Sequence, residues 1–480
     1  MNAVEAIGKI LTTKSLNCCF PALESATMTF RSFARLTSAA VIATLTPVVL
    51  VTQAPQALAS PCTPYSKSGS FTSKPAGPAG GSSSSLGSLF SGSSSRGGGE
   101  QRSNYNQRQI TDGPTQIMEL ITGAGSPNRT DLDFGVSGTD LGIAYSDNAG
   151  RSYYVFGDTM DCASEGDGWR SNVLLRTTDQ DYGDGLTLDE ALTSNGWSGT
   201  GRAKEFIPSQ KVGDGDNHGE RTTIPTAGIV VDGVHYVDYM SVRSWHAPET
   251  GWSTNYAATM KSTDGGATWQ AVDESTRTNS SHGSSTPIPG GANYRAGFEK
   301  LQQSAFMEHA GYIYRFTTGN GRRGPAYLSR AAKADFPNED AFEYYSNGSW
   351  VKDPSRASEV LDGKVSELSV AYNDYLGKFV TMYGVEGQGI VMRTADSPEG
   401  PWSPRRLLVS ADTTKVISGE PLNDTYAPFV LPNQDDQHLY YTLTSWNDYN
   451  TMLMRTDLDF VGEDMEHKDH IEVSDVVATR

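Results

Sequence analysis

The sequence predicts an all-β fold, a five-bladed β-propeller, from a repeated strand pattern and from its composition. Between residues 113 and 475, a short alternating strand, a turn and a second, aromatic-rich strand recur five times. The chain of 480 residues contains 50 glycines and 10% aromatic residues, a mixture typical of many short strands joined by tight turns. Amphipathic helical periods of useful length do not occur in it, which disfavours α/β folds.

Each repeat is predicted to form one blade of the propeller. The five strand pairs occupy residues 139–158, 225–239, 303–316, 367–383 and 426–443. Several repeats continue into a third strand that ends in a charged turn, and a tryptophan opens the fourth strand at Trp269 and Trp402. Four strands in each repeat are the signature of propeller blades.

Residues 1–59 are predicted to be a signal peptide region rather than folded protein. From Met28, a basic start precedes an apolar stretch over residues 36–51 and small residues before position 60, which is the order found in secretory signals. We therefore expect cleavage near position 60 and a secreted protein, with residues 1–27 arising from a false upstream start. An uncleaved membrane anchor is the alternative, although Thr and Pro interrupt the apolar stretch.

Residues 60–112 are predicted to be a flexible linker, because Ser, Gly and polar residues leave little apolar area to bury. Cys18 and Cys19 lie in the segment predicted to be removed, so that Cys62 and Cys162 remain. An even pair in an exported protein predicts one disulfide bond. Since no further thiol or histidine ligands stand at zinc-binding spacing, we expect no metal site and no cofactor.

The formal net charge of −18 at pH 7 disfavours two classes of partner. Such a surface repels nucleic acid and anionic lipid. We therefore expect no nucleic acid partner and no stable membrane insertion after signal cleavage. The charge is compatible with a neutral polymer, and a polysaccharide substrate is the partner that we expect.

Propellers form active sites at the mouth of the central channel, where the innermost strand of each blade begins. In the predicted repeats, this position is occupied by Asp140, Thr222 or Thr223, Gln303, Glu367 and Tyr426. Asp158 follows the second strand of the first repeat, on a Gly-Asp-Thr turn. Because antiparallel neighbours bring the start of one strand to the end of the other, Asp140 and Asp158 are expected to approach each other.

Two carboxyl groups flanking one bond are what glycoside hydrolysis requires. One protonates the leaving oxygen, while the other activates water or attacks directly. In a partly dry pocket the pKa values of the pair split, so that one group keeps its proton near neutral pH. The alternative is that Asp140 caps backbone donors at a strand start and that Asp158 forms a turn.

The stretch 135–142 followed by 155–159 resembles the opening signature of domain of unknown function 4185, a bacterial family. Further matching stretches are 222–226, 252–256, 321–324 and 441–447. That family is grouped with glycoside hydrolase family 183, whose members are endo-D-arabinofuranases. The resemblance implies that Asp140 and Asp158 are the two essential acids. It also implies endo-acting cleavage of D-arabinofuranosyl linkages in cell-wall arabinan, as in arabinogalactan and lipoarabinomannan.

Seven residues are predicted to bind substrate around the two acids. Arg322 presents a fork of donors to sugar hydroxyls, and Glu367 orients substrate or raises the pKa of the acid. Aromatic rings stack on the apolar faces of sugars. The predicted binding residues are Glu367, Arg322, Trp245, His246, Trp446, Glu220 and Tyr426. The alternatives are blade-edge ion pairs for the charged residues and core packing for the aromatic ones.

Two other functions remain open from the sequence. A non-catalytic wall-binding propeller would hold polysaccharide without cutting it, although it has no need of two acids at one mouth. A sialidase or an exo-acting furanosidase is the second, because residues 262–269 match the Asp-box of sialidase-like propellers. We expect Asp264 of this box to form a structural turn. The arginine triad of a sialidase is not evident among Arg243, Arg322 and Arg330.

Overall fold

The computed structural model of the protein describes residues 114–459, apart from 162–167, 213–218, 248, 281–285, 411–424, 433–436 and 447–448. The predicted signal peptide region, the predicted linker and both cysteines of the predicted disulfide, Cys62 and Cys162, lie outside the described residues. No helix in the described part of the chain is long and apolar enough to span a membrane.

The described chain begins with strand β1 (Thr115–Leu120) and a short helix, α1 (Thr130–Asp133). The first blade contains β2 (Gly138–Ser146), β3 (Ser152–Met160), β4 (Val173–Thr177), β5 (Glu190–Thr193) and β6 (Gly196–Ser198). The second blade contains β7 (Thr222–Val231), β8 (Val234–Ala247), β9 (Gly251–Ser262) and β10 (Gln270–Thr278).

The third blade is the largest, because a sixth strand pairs with its third strand. It contains β11 (Gln303–His309), β12 (Tyr312–Thr318), β13 (Gly324–Ala332), β14 (Glu343–Ser346), β15 (Ser349–Val351) and β16 (Glu359–Val365). The fourth blade contains β17 (Leu368–Asn373), β18 (Lys378–Val385), β19 (Gly389–Ala395) and β20 (Arg406–Ser410). The fifth contains β21 (Thr425–Val430), β22 (His438–Ser445) and β23 (Asn450–Asp457), with β1 beside β23.

Short 3₁₀ turns occur at Tyr182–Asp184, Pro289–Gly291, Phe298–Lys300, Lys333–Asp335, Glu339–Ala341 and Pro354–Arg356. The innermost strands β2, β7, β11, β17 and β21 each contact the next around a closed ring. Strand β1 completes the fifth blade by antiparallel pairing with β23. The prediction of an all-β, five-bladed propeller is confirmed, and each predicted strand pair coincides with the first two strands of a blade.

Apolar side chains fill the space between neighbouring blades. Between the first and second blades, Leu141 and Ile143 of β2 belong to the same buried cluster as Val237 and Tyr239 of β8. Nearly every residue of β3 is buried, because a blade is covered on both faces by its neighbours. Burying one large apolar side chain contributes about 1.5–3 kcal/mol, so these inter-blade layers hold the ring together.

Four buried charges form a second kind of contact between the second and third blades. Arg277 of β10 pairs with Asp238 of β8 at 2.7 Å, and both side chains are fully buried. Arg315 of β12 pairs with Glu339 at 2.7 Å, and Glu339 also lies 3.7 Å from Arg277. Each buried charge thus has an opposite partner, which offsets the cost of removing it from water.

Replacing Arg277 with Met is expected to lower the free energy of unfolding by about 3–5 kcal/mol, because Asp238 then stays buried without its partner. Arg295→Met is the matched control, since the Arg295–Asp340 pair is largely exposed and contributes about 0–1 kcal/mol. Urea denaturation of both variants measures the difference. Equal losses in the two variants would contradict a structural role of the buried network.

Candidate active site

A β-bulge between β2 and β3 brings the two predicted acids opposite each other. Between the pairs Thr139–Thr159 and Leu141–Phe156, β2 contributes Asp140 alone, whereas β3 contributes both Gly157 and Asp158; a second register shift follows directly after Leu141. An extra residue in one strand redirects the side chains at that point. A methyl group at Gly157 would overlap Asp140 Oδ1, so the glycine lets Asp140 lie directly against β3.

The backbone after Asp140 is strained and is held by the fifth blade. Leu141 and Gly142 have φ angles of 71° and 92°. Thr444 Oγ1 accepts a hydrogen bond from the Leu141 amide at 3.0 Å, and Thr442 Oγ1 donates to the Gly142 carbonyl at 2.9 Å. A non-glycine residue at positive φ costs on the order of 1–3 kcal/mol and is typical of functional sites. The threonines therefore fix the direction of Asp140.

The two oxygens of Asp140 have different surroundings. Oδ2 accepts a hydrogen bond from the hydroxyl of Tyr426 at 3.0 Å. Oδ1 is buried and has no hydrogen-bond partner among the described residues. Burial and the negative charge of Asp158 raise the pKa of Asp140 well above its ordinary value, and the hydrogen bond from Tyr426 opposes them only in part. Asp140 is thus a protonated acid at pH values where an exposed aspartate is ionised.

Asp158 is held by two donors on one of its oxygens. Trp169 Nε1 and Thr222 Oγ1 both donate to Oδ1, each at 2.8 Å. Among the described residues, none donates to Oδ2. Burial raises the pKa of Asp158 to about 6, although these two hydrogen bonds and the positive charges of Arg221 and Lys211 lower it. Asp158 is therefore mainly a carboxylate at neutral pH.

Arg322 lies beside Tyr426 and connects it to Glu367. Its Nη2 lies 2.7 Å from Glu367 Oε1, and its Cζ lies 4.8 Å from the ring centroid of Tyr426 and 5.1 Å from that of Trp252. Burial favours neutral Glu367, but the positive charge of Arg322 and the hydrogen bonds to the carboxylate together outweigh it and lower the pKa of Glu367. Glu367 is thus a fixed negative charge within the site.

The hairpin of β8 and β9 projects past Thr222, the first residue of β7. On this hairpin Trp245 and Trp252 lie edge to face, with ring centroids 5.6 Å apart. Asn320 Nδ2 donates to the carbonyl of Trp252 at 2.7 Å, and the amide of Arg322 donates to the carbonyl of Thr250 at 2.9 Å. The hairpin is therefore fastened to the loop that presents Arg322.

The structure brings most of the predicted site residues into one connected cluster. A hydrogen bond joins Asp140 to Tyr426, and a cation–π contact joins Tyr426 to Arg322. An ion pair then joins Arg322 to Glu367. Trp446 packs against Tyr426 with ring centroids 5.6 Å apart, and Trp245 reaches the cluster through Trp252. Gln303, which was predicted to lie at the channel mouth, donates from its side-chain amide to the carbonyl of Gly321 at 2.7 Å. This hydrogen bond holds the loop that contains Arg322.

His246 and Glu220 have other surroundings. His246 is exposed at the tip of the β8–β9 hairpin. Glu220 is 3% exposed and accepts hydrogen bonds from the Gln210 amide at 2.9 Å and the Tyr256 hydroxyl at 3.4 Å. Burial raises the pKa of Glu220. Within the described ranges, no three His, Cys, Asp or Glu side chains are grouped so as to hold a metal ion.

Sequence reasoning missed Trp169 and Trp252 as site residues. Trp252 begins one of the stretches that resemble the family, which was an available signal. Trp169 precedes the first residue of β4 by a few positions, in a loop where no periodic pattern predicts the direction of a side chain. Only the fold shows that its indole N–H points at Asp158.

The model of the family described as Domain of unknown function (DUF4185) matches residues 125–455, which include the whole cluster. The chain belongs to this family. This DUF4185 protein is 26% identical over 353 residues to Notoamide biosynthesis cluster protein J from Aspergillus sp. (strain MF297-2), covering 69% of this chain and 86% of that protein. Notoamide biosynthesis cluster protein J' from Aspergillus versicolor is 26% identical over 340 residues, covering 67% and 84%.

Two enzymes are among the solved structures to which the chain is similar. The xylan β-1,4-xylosidase from Bacillus halodurans C-125 is 9% identical with a TM-score of 0.40, covering 66% of this chain and 53% of that chain. The α-L-arabinofuranosidase PaAbf62A from Podospora anserina, in complex with cellotriose, is 13% identical with a TM-score of 0.37, covering 70% and 94%. Because these values are low, the chemistry of the DUF4185 site has to follow from its own residues.

Replacing Asp140 with Asn is expected to stabilise the protein increasingly as pH rises from 4 to 8. Because the pKa of Asp140 is raised on folding, wild-type protein loses stability as pH rises above the unfolded value towards the folded one, and the amide cannot ionise. Each unit of pKa difference corresponds to about 1.4 kcal/mol. Thermal unfolding across this pH range measures the difference in stability between the variant and the wild-type protein. Replacing the exposed Asp396 with Asn is the control. A difference independent of pH would contradict the raised pKa.

Proposed function

We propose that this protein is a glycoside hydrolase in which Asp140 is the general acid and Asp158 is the base or nucleophile. The observation that supports this most is the irregular pairing of β2 with β3, which sets two carboxyl groups opposite each other in different surroundings. One group has a buried oxygen without a partner, and the other is anchored by two donors. Titratable groups whose pKa values are pushed apart are the pattern expected of an acid and its base.

In the proposed reaction, protonated Asp140 donates its proton to the glycosidic oxygen while the bond from that oxygen to the anomeric carbon breaks. The oxygen leaves as a hydroxyl group of the departing chain, and Asp140 becomes a carboxylate. The hydroxyl of Tyr426 already donates to Asp140 Oδ2, so it stabilises the charge that forms there. A proton from water then restores the acid.

Asp158 acts on the opposite face of the same sugar. Its Oδ1 is fixed by Trp169 and Thr222, which leaves Oδ2 as the reacting oxygen. In one route, Oδ2 takes a proton from a water molecule that attacks the anomeric carbon, and later releases this proton to solvent. In the other, Oδ2 bonds to that carbon, and a water molecule that gives its proton to the Asp140 carboxylate then breaks this bond and frees Asp158. The first route inverts the anomeric configuration and the second retains it. The anomer released first, followed by proton NMR, distinguishes the two.

The proposed substrate is a furanose polysaccharide without charge, cut at internal D-arabinofuranosyl linkages of cell-wall arabinan. Trp245 and Trp446 are partly exposed beside the cluster, where their rings can stack on sugars. The net charge of −18 favours a neutral polymer over an anionic one. The linkage and the internal cut follow from the sequence resemblance, and an extracellular location follows from the predicted signal peptide.

A binding function without catalysis is less well supported by the same site. An unpartnered buried acceptor such as Asp140 Oδ1 costs about 1–3 kcal/mol, and the positive φ at Leu141 adds strain. Stacking and hydrogen bonding to a sugar require neither cost. Both costs are explained when Asp140 has to hold and release a proton.

Asp140→Asn and Asp158→Asn are each expected to lower kcat on arabinan by about 10²–10⁴-fold, because each removes one partner in proton transfer. The exposed Asp396→Asn is the control and should cut at the wild-type rate. Sizing the oligosaccharides released from arabinogalactan measures both rate and internal cutting. Full activity in either site variant, or polysaccharide binding by wild-type protein without new reducing ends, would contradict the proposal.

The pH dependence of kcat/KM is expected to be bell-shaped. Activity should rise with pH near 6, where Asp158 loses its proton, and fall at higher pH, where Asp140 loses its own. Initial rates on arabinan between pH 4 and 10 measure the two limbs. An acid limb near pH 4, the ordinary range of an exposed aspartate, would contradict the proposed environment of Asp158.

A further inference from the structure

Each of the two acids receives a hydrogen bond from an aromatic side chain whose ring lies under a guanidinium group. We propose that these two aromatic side chains, Tyr426 and Trp169, are positioning residues, each of which aims one of the two carboxyl groups and stabilises the negative charge of that group alone. This proposal rests on the hydrolase function proposed above. We call the two groups the Tyr426 arm (Asp140, Tyr426, Arg322) and the Trp169 arm (Asp158, Trp169, Arg221).

The Tyr426 arm joins the first blade to the fifth and the third. Tyr426 Oη donates to Asp140 Oδ2 at 3.0 Å, and Arg322 Cζ lies 4.8 Å from the centre of the Tyr426 ring. A cation over an aromatic face is attracted to the ring, so Arg322 restricts the ring to the orientation that aims the hydroxyl at Asp140. Glu367 holds Arg322 from the other side at 2.7 Å.

The Trp169 arm repeats this arrangement around the other acid. Trp169 Nε1 donates to Asp158 Oδ1 at 2.8 Å, and Arg221 Cζ lies 4.6 Å from the Trp169 ring centroid. A second cation, Lys211, has its Nζ 5.1 Å from the same ring and donates to the Trp169 carbonyl at 3.0 Å. The indole is thus fixed by charges on its ring and on its backbone.

The charges that face the two acids differ between the arms. Asp140 faces two anions, Asp158 and Glu367, and one cation, Arg322. The charged groups that act on Asp158 most strongly are the two cations Arg221 and Lys211. Like charge favours the neutral carboxyl, whereas opposite charge favours the carboxylate. Burial, Asp158 and Glu367 therefore favour the proton on Asp140, and Arg221 and Lys211 favour the negative charge on Asp158.

Three substitutions are expected to change the pKa values of the two acids. The expected changes differ in direction or in the acid that they affect. Tyr426→Phe removes a donor to Asp140 and should raise the pKa of Asp140 alone, by roughly one unit. Trp169→Phe removes a donor to Asp158 and should raise the pKa of Asp158 alone by a similar amount. Glu367→Gln removes a like charge and should lower the pKa of Asp140.

NMR titration of the intact protein labelled with ¹³C at the aspartate carboxyl carbons tests these shifts without any substrate. The signals of the two acids are assigned from their loss in Asp140→Asn and Asp158→Asn. Tyr312→Phe and Trp350→Phe are matched controls, because both rings stack on Arg330, at 4.3 and 4.0 Å, in the third blade. The controls should leave both titrations unchanged.

Shifts confined to the predicted acid, with the predicted sign, would support the arms. Equal movement of both pKa values in Tyr426→Phe or Trp169→Phe, or no movement in either, would overturn them. In the activity profile, Tyr426→Phe should move only the alkaline limb upwards and Trp169→Phe only the acid limb. If wild-type protein cuts no furanose polymer while the NMR shifts occur, the proposed hydrolase function fails and the positioning roles of Tyr426 and Trp169 stand.

Discussion

The irregular pairing of two neighbouring strands sets the geometry on which the site depends. Where β2 uses Asp140 alone, β3 uses Gly157 and Asp158, and the missing side chain at Gly157 leaves room for the carboxyl group of Asp140. Leu141, which lies between two register shifts, has a positive φ, and the threonines of the fifth blade hold this backbone in place. Backbone strain, inter-blade hydrogen bonding and the opposition of two acids thus have one local origin.

Buried charged groups have different partners in the scaffold and in the candidate site. In the second blade, Asp238 and Arg277 are fully buried and paired, and Ser304 of the third blade donates a hydrogen bond to Asp238, which is what a purely structural contact requires. In the candidate site, Asp140 keeps one buried oxygen without a partner among the described residues, although Tyr426 donates a hydrogen bond to the other. The contrast separates a contact that holds blades together from one that is available for proton transfer.

The repeat pattern predicted the blades and the mouth residues, because strand starts are local features of the sequence. The structure brings Asp140, Glu367 and Tyr426, three of these predicted residues, into one cluster. The bulge itself could not be predicted, since alternation does not reveal which residue is extra. The direction of Trp169 depends on its bond to Asp158, and Glu220 is buried where Gln210 and Tyr256 donate to it; no periodic sequence pattern specifies either contact. Catalysis by the two acids stays a prediction.

The closure of the ring also orders events during synthesis. Both acids belong to the first blade and leave the ribosome early, whereas the tyrosine that bonds Asp140 lies 286 positions further along the chain. The outermost strand of the last blade, β1, is made before all the others and waits for β23. A nascent chain therefore has its acids long before it has the groups that set their protonation. The full site therefore forms only when translation is complete and β1 has paired with β23 to close the ring.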